Sequence, residues 1–345
     1  MTSTRQDAAI DDAAASAFFT QNGERATAMP PVAIVIAAYN EEGVVGSVVD
    51  ALPDKLCGLA TIPVVVSDGS RDGTAEEANA HGALVCDVPV NRGQGAALRL
   101  GYRLAREGGA QYIVTTDADG QYNPAEMDAV LGPVVAGQAD FVTGSRKLGS
   151  QETNDPVRRL GTWVFAVTIS LLTGQRITDS SFGLRAMCAE VTGAIRLEQP
   201  QYQSSELLIA VLTHGFRVAE VPATIHKRKV GESKKGHNAI YGLKYAGVVL
   251  GTWRRERQRR VPGSGSAASS RTGRRPGDRS AGLPPHGDEP FAPAAEPAAA
   301  NGSEAAPGPA ITGTSADSPL APGRSEAGNS DSSSETLDPR SLKRT

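Results

Sequence analysis

The stretch Tyr112-Ile113-Val114-Thr115-Thr116-Asp117-Ala118-Asp119-Gly120-Gln121 decides the fold. A short run of apolar and β-branched residues fits a buried strand, and it stops at two carboxylates one residue apart. In extended chain, side chains two positions apart point the same way, so Asp117 and Asp119 face one edge of the sheet. Outward from this strand the periodicity changes. Upstream, Gly95 to Arg106 has helical spacing. Downstream, Asn123 caps a helix over Pro124 to Ala136, with Pro124 at its first position and Glu126 placed to reach back.

The same alternation fills the chain on either side. Val32–Ala38, Pro63–Ser67, Ala83–Val88 and Asp140–Thr143 read as further buried strands, and Glu41–Leu52 and Thr74–His81 as further helices. Strand, helix, strand, helix predicts an α/β fold with a mainly parallel sheet flanked by helices. Such sheets bind ligands beyond the carboxyl ends of their strands. Polar, glycine-bearing loops follow those ends here: Tyr39-Asn40-Glu41-Glu42, the run Asp68 to Thr74, Asn91-Arg92-Gly93-Gln94-Gly95, and Asp117 to Gln121.

Two hard oxygen ligands at Asp117 and Asp119 suit Mg²⁺ or Mn²⁺ shared with a diphosphate. A D-x-D alone is more often a solvated turn; the buried strand before it and the polar loops beside it favour the metal. Asp68 is placed to accept hydrogen bonds from a base or ribose, with Gly69 and Gly73 letting the backbone bend closely around a ligand. Asp72 and Thr74 read as turn caps. Gly93-Gln94-Gly95 opens a helix whose first amides face an anion. It is not the dinucleotide fingerprint, because Leu98 stands where that pattern needs Gly or Ala and the loop follows the third strand, which disfavours a nicotinamide oxidoreductase. No G-x-x-x-x-G-K-[ST] loop supports an NTPase.

Composition bounds the organisation. The chain has 345 residues, 38 of them glycine and 22 proline, with 5% aromatics and a formal net charge of -3. From Val261 on, Phe291 is the one aromatic residue in a run of Ala, Pro, Gly and Ser, too little apolar mass to offset the entropy of ordering. The expected layout is a flexible N-terminal arm over residues 1–30, with a transient helix open to Ala13 to Thr20, one folded domain over 31–255 and a disordered tail over 256–345. The charge excludes a globally basic nucleic-acid binder. Cys57, Cys86 and Cys188 lie far apart, indicating neither a disulfide framework nor a zinc site and fitting a reducing cytosol. Met1 to Pro30 has no basic segment followed by a long apolar run, so no secretory leader is expected.

Together, Tyr39-Asn40-Glu41-Glu42, Asp68 to Thr74, Asn91 to Gly95, Asp117-Ala118-Asp119-Gly120-Gln121 and Thr143-Gly144-Ser145-Arg146 resemble family 2 glycosyltransferases of the GT-A fold. The likeness is strongest to the dolichyl-phosphate mannose synthase and polyprenyl-phosphate glycosyltransferase branch, over about residues 32 to 253. It implies a nucleotide-sugar donor (a GDP- or UDP-sugar), a divalent metal, inverting transfer and a polyprenyl phosphate acceptor. Carried over, it puts Tyr39, Glu41 and Asp68 at the nucleotide and Asp117 at the donor. Asp119 and Gln121 join Asp117 at the metal and diphosphate. Arg146, Arg158 and Thr162 fall at the lipid phosphate. Arg228 and Lys234, in Arg228-Lys229-Val230-Gly231-Glu232-Ser233-Lys234, meet the donor phosphates from a basic loop. The sequence departs from the branch at Gln94, where many relatives have lysine, and in a polar tail where some have membrane helices.

Charge chemistry fits these roles independently: cations and a metal stabilise the diphosphate as the glycosyl bond breaks. A lipid phosphate is already anionic and needs no general base. A hydroxyl acceptor needs one, with Asp179 and Glu206 as candidates; Asp179 equally serves to hold its turn or orient Arg185. Leu160 to Leu172 and Ile240 to Trp253 are apolar helical stretches too short to span a bilayer but able to lie at its surface. From Lys227 to Arg260, eleven basic residues face two acidic ones, which suits an anionic leaflet. The expected location is the cytoplasm, at the inner face of the cell membrane. Packing of both helices on the domain is the plainer alternative, and a non-catalytic nucleotide-sugar-binding scaffold is the alternative to an enzyme.

Overall fold

A strand as apolar as Val32–Ala38 has no polar face to give to water and must be covered on both sides. That requirement is met in the computed structural model, which describes residues 2–152, 156–199, 203–226 and 239–259. Among the described residues the strands are β1 (Val32–Ala38), β2 (Lys55–Leu56), β3 (Leu59–Asp68), β4 (Leu84–Val88), β5 (Tyr112–Asp117), β6 (Phe141–Gln151), β7 (Arg185–Cys188) and β8 (Val218–Ile225). The first five helices are α1 (Thr2–Asn22), α2 (Glu24–Thr27), α3 (Val45–Asp50), α4 (Thr74–Ala80) and α5 (Gln94–Glu107). They are followed by α6 (Met127–Val135), α7 (Pro156–Thr173), α8 (Ala189–Ala194), α9 (Gln203–Thr213) and α10 (Ala239–Arg259). Asn123 caps the 3-10 turn Pro124–Glu126 that leads into α6, its side chain accepting the Ala125 N–H.

β1 lies between β3 and β5, β4 lies outside β3, and these pairs are all parallel. β7 enters antiparallel between β5 and β6, and β8 runs parallel to β6 at the far edge. The short β2 is a hairpin partner at the start of β3. The parallel half follows the expected alternation. β7 departs from it, because four residues make too short an apolar run to stand out.

Alternate residues serve opposite layers. Ala33, Val35, Val64 and Val66 pack with Leu100 and Leu104 of α5. Val32, Ile34 and Val114 face Val130, Leu131 and Val134 of α6. Ile36 and Val65 meet Val45, Val48 and Ala78 of α3 and α4. Gly101 of α5 sits where a Cβ would overlap the Val35 side chain, so a glycine lets this helix close onto the sheet. No helix among the described residues is long and apolar enough to cross a membrane.

The N-terminal segment differs from the expected loose arm. Residues 2–22 form α1, which buries Ala14, Ala15 and Phe18 in the same core as β4. Small alanines give a weak apolar signal in sequence but permit close approach, and Phe18, 1% exposed, anchors the contact. At the other end α10 continues to Arg259, four residues into the expected tail, because Glu256 is buried and accepts from Arg255 and Arg259. Residues 260–345 lie outside the described residues. α3 begins at Val45 instead of Glu41; the Glu77 carboxylate accepts the Gly43 amide in the turn before it and the Gly46 amide in its first turn.

Phe18→Ala should cost about 3 kcal/mol of folding stability, as truncation of a buried phenylalanine ordinarily does. Urea unfolding of the full chain measures it, and an unchanged midpoint would contradict the docking of α1.

Candidate active site

Register brings the polar loops together. Ala38 pairs with Ser67, Ala37 with Asp117 and Asp68 with Val88, so β1, β3, β4 and β5 end side by side. Asp68 and Asp117 stand two strands apart, roughly 10 Å at ordinary strand spacing. The loops are also tied to one another. The Asn40 N–H donates to Ser70 Oγ, the Arg71 N–H to Asn40 Oδ1, the Glu41 N–H to Thr74 Oγ1 and the Gly73 N–H to Glu42 Oε2. Asp72 caps Thr74, as expected. Tyr39 and Glu41 are both half-buried here.

Asp68 is 2% exposed. Its Oδ2 accepts the Arg92 N–H at 2.9 Å and the Gly93 N–H at 2.6 Å. Burial pushes its pKa up, against the pull of those two amides and the Arg92 charge. Its Oδ1 is buried with no hydrogen-bond partner. Such an oxygen is costly to leave unpaired, and a ligand N–H or O–H would satisfy it. Gly69, at φ +69°, lies where a Cβ would run into the backbone of Val90 and Asn91, so the loop after β4 sits directly on the turn after β3.

Asp117 Oδ1 accepts from Gln94 Nε2 at 3.0 Å, so Gln94 holds the first carboxylate of the D-x-D pair. Asp119, 6% exposed, accepts the Gln121 N–H. Gln121 Nε2 donates to the His226 carbonyl at 2.8 Å, and the His226 N–H returns a bond to the Gln121 carbonyl at 2.9 Å. This stitches the loop to the end of β8. Among the described residues no group of three or more His, Cys, Asp and Glu side chains is gathered to hold a metal. The donor set nonetheless fits Mg²⁺ or Mn²⁺, which commonly take one or two carboxylates and complete their shell with substrate phosphates and water.

The second flank is built on residues 178–183. Glu220 accepts the Thr178 and Asp179 amides. Asp179 in turn accepts Arg146 Nε at 2.6 Å, and both side chains are buried. Arg146 also donates to Ser181 Oγ and lies over the Phe182 ring. Gly183 donates to Tyr122 Oη at 2.8 Å, and a Cβ there would stand 3.0 Å from Asp117 Oδ2, which puts this flank against the D-x-D loop. Asp179 thus orients Arg146, a pairing the sequence reading did not make. Glu206, the other candidate base, is fully buried and accepts the Glu198 and Gln199 amides and the Arg255 guanidinium. Thr162 is half-buried on α7. Arg158 is on the first turns of α7, where the backbone alone is described, and Arg228 and Lys234 lie outside the described residues. Tyr122 and Arg92, not singled out from sequence, carry no local signal beyond their type; their roles come from distant partners.

A raised folded pKa means that keeping Asp68 ionised disfavours the fold above that pKa, and the penalty fades as pH falls through it. Asp68→Asn removes the charge and keeps an oxygen for both amides, so at pH 7 it should melt at or above the parent. Scanning calorimetry checks this; a clearly lower melting temperature would mean that the charge serves the fold and not a ligand.

A family model described as glycosyl transferase family 2 matches residues 33–196. The chain is 34% identical over 203 residues to the dolichyl-phosphate hexose transferase of Haloferax volcanii, covering 59% of this chain and 86% of that protein. It is 35% identical over 223 residues to the polyprenol monophosphomannose synthase of Mycolicibacterium smegmatis, covering 60% of this chain and 82% of that one. Its fold is similar to that of glucosyl-3-phosphoglycerate synthase from Mycobacterium tuberculosis, crystallised with Mn²⁺, UDP and phosphoglyceric acid. The TM-score is 0.52 and the identity 22%, with 70% of this chain and 83% of that one covered. With relatives matched over most of their length and the expected motifs gathered on one sheet edge, the chain belongs to glycosyl transferase family 2.

Proposed function

We propose that this glycosyltransferase moves a sugar, with inversion, from a nucleotide donor to a polyprenyl phosphate. The observation that carries the donor half is Asp68: a buried carboxylate with one oxygen fixed by two amides and the other unpartnered, two strands from Asp117. Asp68, with Tyr39 and Glu41 alongside, binds the nucleoside, accepting its N–H or O–H. Asp117, Asp119 and Gln121 hold Mg²⁺ or Mn²⁺, which neutralises charge on the diphosphate when bound. Arg228 and Lys234 meet that charge from the segment after His226.

Both candidate bases support the acceptor half by being otherwise engaged. Asp179 is held by Arg146, and Glu206 by two amides and Arg255. A hydroxyl acceptor would need one of them released, whereas a phosphate monoester brings its own anionic oxygen. Arg146, Arg158 and Thr162 receive that phosphate. α7 offers the hydrocarbon chain a face: Trp163, Val164, Val167 and Leu171 are exposed, Leu171 to 80%. The Ser170 hydroxyl ties this helix to Ile177, close to the turn that carries Asp179. Such an acceptor suits a site at the membrane surface, and a nucleotide-sugar donor suits the cytoplasmic side. The names of the Haloferax and Mycolicibacterium relatives support the same acceptor class.

Labelled UDP- and GDP-sugars offered with detergent-solubilised polyprenyl phosphate or with a panel of soluble alcohols test the reading. Product should form on the phosphate alone; transfer to the alcohols alone would overturn it. Asp119→Ala should lower metal-dependent kcat by about 100-fold or more in a folded protein, the scale for losing a principal electrostatic group. Unchanged turnover would remove Asp119 from the metal site. Arg158→Ala should raise the KM for the lipid phosphate more than that for the donor, and equal effects would move it out of the acceptor site.

A further inference from the structure

Three consecutive residues, two ending the loop after β4 and one opening α5, bind three different parts of the molecule. The Arg92 side chain reaches back to α1, donating from Nη2 to Asp11 Oδ1 at 2.7 Å and from Nη1 to the Asp7 carbonyl at 3.2 Å. The Arg92 and Gly93 amides grip Asp68 Oδ2. Gln94 holds Asp117 Oδ1. The ion pair is shielded, with side-chain exposure of 7% for Arg92 and 14% for Asp11. Arg99 of α5 approaches the second Asp11 oxygen at 3.7 Å.

We propose that α1 is a positioning element of the donor site, acting through the Asp11–Arg92 ion pair to hold the amides that orient Asp68 and the side chain that orients Asp117. The inference rests on the donor reading given above. It concerns a helix that precedes the family match, which begins at residue 33. Gly93 has φ +94°, a backbone freedom that leaves such a loop loosely defined unless something fixes it. The shielded pair does so from α1. A loop already in its bound geometry loses less conformational freedom when a nucleotide arrives, and that saving appears as donor affinity. Arg92 and Asp11 are positioning residues. Neither is assigned a contact with substrate.

α1 also makes a contact that serves as an internal control. Asp12, 68% exposed, pairs with Arg103 on α5 at 2.6 Å, on the same helix but away from the loop. The experiment compares full-length Asp11→Asn, Asp11→Glu and Asp12→Asn with the parent. It measures UDP and GDP binding in the presence of Mn²⁺ by calorimetry, and amide hydrogen exchange at Arg92 and Gly93. Asp11→Asn should bind the favoured nucleotide roughly tenfold more weakly, the scale of an ordinary coupling between sites, with faster exchange at both amides. Its acceptor KM and its kcat at saturating donor should stay near the parent's. Asp11→Glu should recover most of the affinity, and Asp12→Asn should lose none. Undiminished affinity or unchanged protection in Asp11→Asn would overturn the proposal, as would an equal loss in Asp12→Asn, which would indicate general loosening of α1. If the parent bound neither nucleotide while Asp11→Asn still deprotected the two amides, the donor reading would fall and the structural link from α1 to Asp68 would stand.

Discussion

A carboxylate taken out of water has to be solvated by the protein, and at Asp68 the solvation comes from the backbone of another loop. This one constraint organises the edge where β1, β3, β4 and β5 end. Holding Asp68 Oδ2 fixes the Arg92 and Gly93 amides, which fixes where α5 begins, which puts Gln94 within reach of Asp117. The turn after β3 must approach the same loop so closely that Gly69 has no room for a side chain. The edge behaves as one interlocked unit, and its parts are not independent loops on a rigid sheet. Burial still leaves a residue of strain, seen in the raised pKa of Asp68 and the unpartnered Oδ1. Polar groups kept at such a cost cluster at functional sites.

The parallel half of the sheet was legible because burial on both faces writes a strand as an unbroken apolar run. Val32–Ala38 has that form, and so do most of Leu84–Val88, broken by the exposed Asp87, and most of Tyr112–Asp117. The loops after them were legible because polar and glycine residues directly after such runs have few other uses. What escaped was whatever depended on a distant partner. β7 is four residues long and stands between β5 and β6 only because pairing with both completes the sheet. α1 has an apolar face made largely of alanine, and its ion pairs with Arg92 and Arg103 join residues more than eighty positions apart. Asp179 illustrates the same limit within the site. Its type suggested a base, and its engagement with Arg146 is visible only once β6 and the 178–183 segment meet.

Charge balance explains why the two flanks meet where they do. This edge of the sheet carries Asp68, Asp117 and Asp119 within a few residues of strand ends, an arrangement that repels itself unless positive charge is near. Arg185, the first residue of β7, is 3% exposed behind that edge. Burial pushes its pKa down from the ordinary arginine value, and the nearby Asp117 and Asp179 carboxylates are among the groups that push it back up. An arginine retains its charge in proteins, so Arg185 acts as a fixed counter-charge behind the D-x-D strand. The antiparallel insertion of β7 puts it there, since its register sets Arg185 opposite both Thr115 and Thr143. The Arg146 guanidinium plays no such part for that strand, because its own counter-charge is Asp179, whose carboxylate accepts its Nε.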